Sequence, residues 1–432
     1  MIKKIINKFK KSKIVKNSLW MISATVIQMI LSLFVNIVVA RYLGTTNYGI
    51  LNYGLSFINF FMGICTLGLN SIVIKYLVNE KNNQGEIIGT CIIMRIISSI
   101  ISIIMIIILV ILLKGNDKII IITTLLQSLS LVFESFTVIN LWYQYKLQSK
   151  YTALITFIAY IVMAIYKVIL VVLKKNVIWF AFSHCVSSII VAILLYIIYK
   201  KQRGPKFSFS KLKGKELLKQ SYHFILSSLM VAIYAQTDKI MIGSMIDDIS
   251  AVGLYAVSTT IVSLWSFLPS AIINSFQPVI LEYKKTSINN YKLKLKELYS
   301  IIIWLSILYT LFIFFCGKYL VLLLYGNDFL GGVDSLKIAI FGVTFSYIGC
   351  VREVWLVCEG KQKYAKWFSF IGAVLNIILN LILIPKYGII GAAIATMITQ
   401  IVTAIIVPLL FKDTKECVAH ILDGLFLRFL KK

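Results

Sequence analysis

Twelve apolar runs divide this chain, and a bilayer core about 30 Å thick needs roughly 20 apolar residues for each helical crossing. They fall at about 17–41, 47–78, 86–113, 118–145, 151–173, 177–199, 219–246, 250–281, 297–316, 334–358, 364–384 and 389–411. Backbone N–H and C=O groups find no water in hydrocarbon, so such segments must be helices that satisfy their own hydrogen bonds. No segment between the runs is long enough to hold a soluble core. The chain is 59% hydrophobic, above the roughly 45–50% of soluble domains. The expected class is therefore an all-α polytopic membrane protein with twelve transmembrane helices. The basic start leads into a long first span with no small-residue cleavage pattern, so no signal peptide is expected.

A formal charge of +27 raises the question of nucleic acid. The placement of the charge answers it. With the N-terminus inside, segments 1–16, 79–86, 146–150, 200–219, 282–296, 359–366 and 412–432 carry 31 Lys and Arg. The opposite loops carry seven: Arg41, Lys114, Lys118, Lys174, Lys175, Lys318 and Lys386. This is the positive-inside pattern, so both termini are expected in the cytoplasm. The partner expected for the charge is anionic inner-leaflet lipid, not nucleic acid.

The longest polar stretch, YKKQRGPKFSFSKLKGKELLK from Tyr199 to Lys219, follows the sixth span. It reads as a cytoplasmic linker, 200–218, between an N-lobe of six helices (17–199) and a C-lobe of six (219–411). Each lobe starts and ends inside, as in transporters built from parallel repeats. The flanking segments, 1–16 and 412–432, are basic and amphipathic. Ile2, Ile5, Ile6 and Phe9 share a face at one end; Val418, Ile421, Leu422, Leu425, Phe426 and Phe429 do so at the other. Both suit helices lying in the membrane interface.

Enzyme chemistry finds little to work with. The seven cysteines are scattered singly and suit neither a disulfide framework nor a metal site. Three histidines form no ligand cluster. The one sizeable outer connection, Gly317 to Asp334, carries Asp328 and Asp334 among glycines, which reads as a turn and helix cap. Asp247 and Asp248 likewise read as an N-cap. No catalytic residue, metal or cofactor is expected.

What remains is charge inside the spans. A charge at the centre of a membrane helix costs about 2.5–3.5 kcal/mol on insertion scales, so such residues face a cavity or one another. The N-lobe holds Lys75, Arg95 and Lys167 against Glu134, with His184 nearby in the sixth span; the C-lobe holds Lys239 and Arg352 against Asp238 and Glu353. The positive excess lies in the N-lobe, and a cavity lined this way suits an anion. Asp238 is expected to meet a cation from another helix or a coupling ion, and Lys239 to face the cavity or the outer headgroups.

Five stretches carry a resemblance: ARYLGTTNYGILNY (Ala40 to Tyr53), YAQTDKIMIG (Tyr234 to Gly243), FQPVILEY (Phe276 to Tyr283), LYGNDFLGG (Leu324 to Gly332) and PKYGIIGAAIATMITQ (Pro385 to Gln400). In this order the chain resembles a bacterial polysaccharide flippase of the multidrug/oligosaccharidyl-lipid/polysaccharide exporter superfamily. The resemblance implies two six-helix lobes around a central cavity, as in the multidrug and toxin extrusion fold, working by alternating access. It implies a non-enzymatic flippase that carries undecaprenyl-pyrophosphate-linked oligosaccharide from the inner to the outer leaflet of the bacterial cytoplasmic membrane. Polysaccharide assembly proteins are the further partners it points to. Arg41 matches the basic position of the family's R-x-L-G stretch, and Asp238 the acidic position of its D-K/R-I-x-I-G stretch. Candidate cavity residues are thus Arg41, Lys75, Arg95, Lys167, Lys239 and Arg352. Glu134 and Asp238 are the candidates for coupling to a proton or sodium gradient. Two alternatives stand beside this reading: an ion-coupled multidrug antiporter of the same superfamily, which calls for a more acidic cavity, and a membrane polysaccharide polymerase, which calls for larger outer loops.

Overall fold

A computed structural model describes residues 13–115 and 117–426, and every regular element among them is helical. The expected N-terminal amphipathic segment lies mostly outside the described residues. The chain forms two compact units, Met1–Ala232 and Ile233–Lys432.

The first unit contains α1 (Lys13–Cys65), α2 (Leu69–Asn79), α3 (Gln84–Lys114), α4 (Lys118–Ser128), α5 (Ser130–Glu134), α6 (Val138–Tyr145), α7 (Lys150–Val172) and α8 (Val177–Lys201). Helix α9 (Lys211–Met245) runs through the boundary. The second unit continues with α10 (Ser250–Ser263), α11 (Phe267–Thr286), α12 (Ile288–Tyr325), α13 (Val333–Cys358), α14 (Ala365–Ile401), a π-helical segment (Val402–Ile406), α15 (Val407–Leu410) and α16 (Lys415–Leu425).

Among the described residues, nine helices are long and apolar enough to cross a membrane; α10 and α11, bent by 40° against each other, make a tenth. Two of these helical stretches contain a break. Gly44 in α1 has φ 69° and Gly388 in α14 has φ 58°, a region that glycine enters without the Cβ clash other residues suffer. At Gly388 the backbone doubles back: a Cβ on Gly391 would lie 2.2 Å from the carbonyl oxygen of Leu383.

Other helix ends follow local chemistry. Asp117 caps α4 by accepting from the amides of Ile119 and Ile120, each at 3.1 Å. Before α10, Asp248 accepts from the Ser250 amide at 2.9 Å and its hydroxyl at 2.5 Å. Those bonds hold the Asp248 carboxyl below its ordinary range.

The stretch between α8 and α9 is strapped onto the start of α3. Tyr199 donates its hydroxyl to Pro205 O at 2.7 Å, and its ring stacks on Phe207. The Ser208 amide donates to Gly85 O at 3.3 Å and the Ser210 amide to the Thr90 hydroxyl at 3.0 Å. Glycines permit the approach: a Cβ on Gly85 or Gly89 would meet the Lys206 or Ser208 carbonyl oxygen at 2.1 or 2.4 Å.

Each unit packs a cluster of buried apolar residues near helix ends that adjoin basic segments. In the first, Trp142, Tyr143 and Tyr199 pack among Leu69, Ile87 and Leu217. In the second, Tyr291, Tyr299, Trp355 and Phe368 pack with Ile348 and Ile421. Elsewhere large apolar side chains point outward; Leu112 is 75% exposed and Leu323 72%, as lipid-facing residues must be.

The C-terminal helix divides its apolar residues. Cys417, Val418, Ile421 and Gly424 of α16 are buried, and Tyr299 lies 3.1 Å from Cys417 Sγ. Lys296 pairs with Asp423 at 2.7 Å. Leu422 and Phe426 stay exposed, and Phe429 lies outside the described residues.

Candidate functional site

In the first unit, three ionisable side chains from three spans converge on one cavity of about 350 Å³. Glu134 arrives from the end of α5, Lys167 from α7 and His184 from α8. The span that carries Glu134 changes helical type there: residues Ser135–Thr137 form a 3₁₀ turn, and Thr137 donates its hydroxyl to Glu134 O at 2.6 Å. Such irregular turns inside helices often mark functional positions. Ser32 and Asn36, one helical turn apart on α1, add an amide and a hydroxyl, and Tyr160, Ser183 and Ser187 complete a polar wall.

The charges in this cavity are only partly answered. Glu134 accepts from the Ser188 hydroxyl at 3.1 Å. Arg95 is buried behind it and donates to Asn70 Oδ1 at 2.8 Å; its charge and that of Glu134 act on each other. Among the described residues Lys167 has no carboxylate within ion-pair distance, and His184 Nδ1 has no partner. In the low dielectric of a membrane interior, an unanswered ammonium is costly unless something else supplies the anion.

The second unit holds a buried polar cluster of a different kind. Asp238 on α9 accepts from the Tyr255 hydroxyl on α10 at 2.7 Å and from Asn380 Nδ2 on α14 at 2.7 Å. The Thr396 hydroxyl, beyond the Gly388 break, also donates to it. Asn380 donates to Asn376 Oδ1 at 3.1 Å, and Asn376 to Thr396 at 3.3 Å. The expected cation from another helix is not what Asp238 meets: its donors are neutral. The neighbouring Lys239 is half-buried on another face of α9. Asn380 Oδ1 remains without a donor.

The remaining candidates lie apart. Arg41 is exposed, three residues before the break at Gly44, and Lys75 is exposed on α2. Arg352, read as a cavity cation, works as a clamp. It donates to Thr403 O in the π-helical segment, reaches Glu353 at 3.2 Å and stacks on Phe368 at 4.4 Å. A π turn frees a backbone carbonyl, and Arg352 satisfies it.

Tyr255, Asn376, Asn380 and Thr396 were missed because neutral polar residues are common in spans. The usable signal was Asn376 and Asn380 at i and i+4 in an otherwise apolar run, which puts two amides on one helix face.

Comparison with known proteins follows the same lines. Residues 14–284 match the family described as polysaccharide biosynthesis protein. Two uncharacterised membrane proteins of Methanocaldococcus jannaschii are 28% identical to the chain over 234 and 221 residues, which is 50% and 48% of this chain. The matches span only about half of those two relatives, 45% and 51% of their lengths. The capsular polysaccharide biosynthesis protein CapF of Staphylococcus aureus is 22% identical over 405 residues, 90% of this chain and 97% of that protein. Among solved structures, the lipid II flippase MurJ in an inward closed conformation superposes with a TM-score of 0.74 at 20% identity, over 95% of this chain and 93% of that one. An inward-facing multidrug resistance transporter of the MATE family, in the MOP superfamily, gives 0.64 at 14% identity, over 94% and 95%. The chain thus shares its fold with these solved structures, and it belongs to the polysaccharide biosynthesis protein family.

Proposed function

We propose that this protein is a flippase that moves polyprenyl-pyrophosphate-linked oligosaccharide from the inner to the outer leaflet of the bacterial cytoplasmic membrane, by alternating access, for surface polysaccharide assembly. The observation that carries the reading is the cavity of the first unit. A membrane-spanning body keeps Glu134, Lys167 and His184 around about 350 Å³ of polar space, and Arg95 behind Glu134 tips the balance to positive, which suits an anionic cargo and disfavours a cationic drug. The family match and the likeness of fold support the same class. The architecture proposed with it has twelve spans: the ten counted above become twelve when the segments on either side of Gly44 and of Gly388 are taken separately. Both termini are cytoplasmic. Cysteine labelling should reach positions 205, 290, 363 and 425 only from inside, and 175, 330 and 387 only from outside.

Energy comes from a proton or sodium gradient, felt at Asp238 or Glu134. Asp238 is the stronger candidate. Its carboxylate accepts from Asn380 Nδ2 and the Thr396 hydroxyl, with Asn376 Oδ1 one hydrogen bond further, and carboxylate, amide and hydroxyl oxygens are the ligands hard cations prefer.

The direct test is reconstitution. Proteoliposomes holding the purified chain should flip a fluorescent polyprenyl-pyrophosphate oligosaccharide, and deletion in cells should trap lipid-linked oligosaccharide in the inner leaflet. Normal surface glycan with raised drug sensitivity would select the antiporter instead, and glycan extension by the purified protein would select a polymerase.

A further inference from the structure

The cavity of the first unit has a size, a charge and a lining that together describe one chemical group. Its volume of about 350 Å³ is at the low end of the roughly 300–1,000 Å³ found for small-ligand sites. It can hold one sugar ring, not a whole lipid-linked oligosaccharide.

Its charge is set by three residues. Glu134 and Arg95 answer each other across the wall, which leaves the Lys167 ammonium as the unmatched group. Lysine is a compact point charge with three rotatable donors, whereas pyrophosphate recognition favours planar, bidentate arginine or several cations. A single lysine facing a small chamber suits a single carboxylate. The histidine beside it, with Nδ1 unpartnered, adds a polar group to the same end.

The rest of the lining is of the type that meets sugar hydroxyls. Asn36 offers both a donor and an acceptor, and the Ser187 and Ser32 hydroxyls can turn to either role. Glu134 has carboxylate lone pairs beyond the one taken by Ser188, and carboxylates accept well from hydroxyls. Tyr160 gives the wall an aromatic ring.

We propose that this cavity is a subsite for one acidic sugar of the cargo, a hexose ring bearing a carboxylate, with Lys167 holding the carboxylate and Asn36 and Glu134 the ring hydroxyls. The proposal rests on the flippase reading and narrows it: the glycan contains a uronic-acid type residue, and the first unit reads it.

The experiment uses the full chain in nanodiscs, with D-glucuronate, D-glucose and inorganic phosphate as probes in saturation-transfer NMR titrations. Glucuronate should bind at least tenfold more tightly than glucose, and phosphate should not displace it. Lys167→Gln should weaken glucuronate at least tenfold with an unchanged melting midpoint, and Lys167→Arg should keep most of the affinity. Equal binding of glucose and glucuronate, displacement by phosphate at similar concentration, or an unaffected Lys167→Gln variant would each overturn the subsite. Flipping assays with lipid-linked glycans that contain or lack the acidic sugar separate this from the parent reading. Glycan flipping without selectivity or glucuronate binding leaves a flippase without the subsite. Glucuronate binding with no flipping of either lipid keeps the subsite and overturns the flippase.

Discussion

The two units solve the same problem, a carboxylate inside a membrane span, in opposite ways. In the second, Asp238 is wrapped by three neutral donors from two other helices, and it is 7% exposed. In the first, Glu134 has one hydroxyl donor, a cation behind it and an open chamber in front, shared with Lys167 and His184. The difference separates holding from handling. A saturated carboxylate fastens helices together and changes little unless an ion or proton replaces its donors. An under-satisfied set of charges around space is poised for something that enters.

The comparison breaks first at Asp238. Asp238→Leu removes the acceptor shared by Tyr255, Asn380 and Thr396, so the Tyr255 and Thr396 hydroxyls lose that acceptor and Asn380 keeps only its bond to Asn376. Interhelical hydrogen bonds in membranes average about 0.6 and reach about 1.7 kcal/mol each, so the loss should be about 2–5 kcal/mol. Fluorescence-detected size exclusion after heating should show a collapse of folded protein. Asp238→Asn keeps an acceptor and should keep most of the stability. Its transport should lose dependence on the ion gradient. If Asp238→Leu melts like the parent, the second cluster is not a fastening.

Next in size is the transport defect of Lys167→Gln. It should fold as the parent does, since among the described residues no carboxylate pairs with the ammonium, yet flip cargo at least tenfold more slowly. Glu134→Gln keeps an acceptor for Ser188 but removes the charge that answers the buried Arg95, so it should cost more than Lys167→Gln, about 1–3 kcal/mol. A large melting shift for Lys167→Gln would show that the first cavity is also a fastening.

How much of this was legible in the sequence depends on whether a residue is expensive in lipid. Lys167, Glu134, Asp238 and Arg95 stood out because a charge in an apolar run needs a reason. Their surroundings did not, because Asn380, Thr396 and Ser188 are cheap enough to occur in spans for many reasons. Arg352 shows the converse: its charge is visible in the sequence, but the π turn whose Thr403 carbonyl it satisfies leaves no periodicity to read. The sequence reads separate runs on either side of Gly44 and Gly388, whereas the structure carries a helix through each glycine with a single non-helical residue. The face of α16 is legible as apolar, but which part of it packs on protein, Val418 and Ile421 and not Leu422 or Phe426, is a tertiary fact, fixed by Tyr299 and its neighbours on α12.

The smallest expected effect lies outside the spans. Glu359 is partly desolvated, which raises its pKa, but hydrogen bonds from Lys284 at 2.5 Å and Tyr291 at 2.7 Å outweigh that and hold it below the ordinary carboxylate range. Its contribution is therefore present above the unfolded value near 4.3 and fades as pH falls through the lower folded value. Melting midpoints from pH 6 down to 3 should fall slightly more for the parent than for Glu359→Gln, by about 1 kcal/mol at most. Identical slopes would show that this pair contributes nothing, and would leave the buried clusters as the polar interactions that matter.

The measurement closest to the central claim is a side-by-side flipping assay in proteoliposomes of the parent, Lys167→Gln and Lys167→Arg, each checked for equal folded protein. The glutamine variant should flip lipid-linked oligosaccharide at least tenfold more slowly, while the arginine variant retains most of the rate. Equal rates for all three would contradict the assignment of the first-unit cavity as the place where cargo is met.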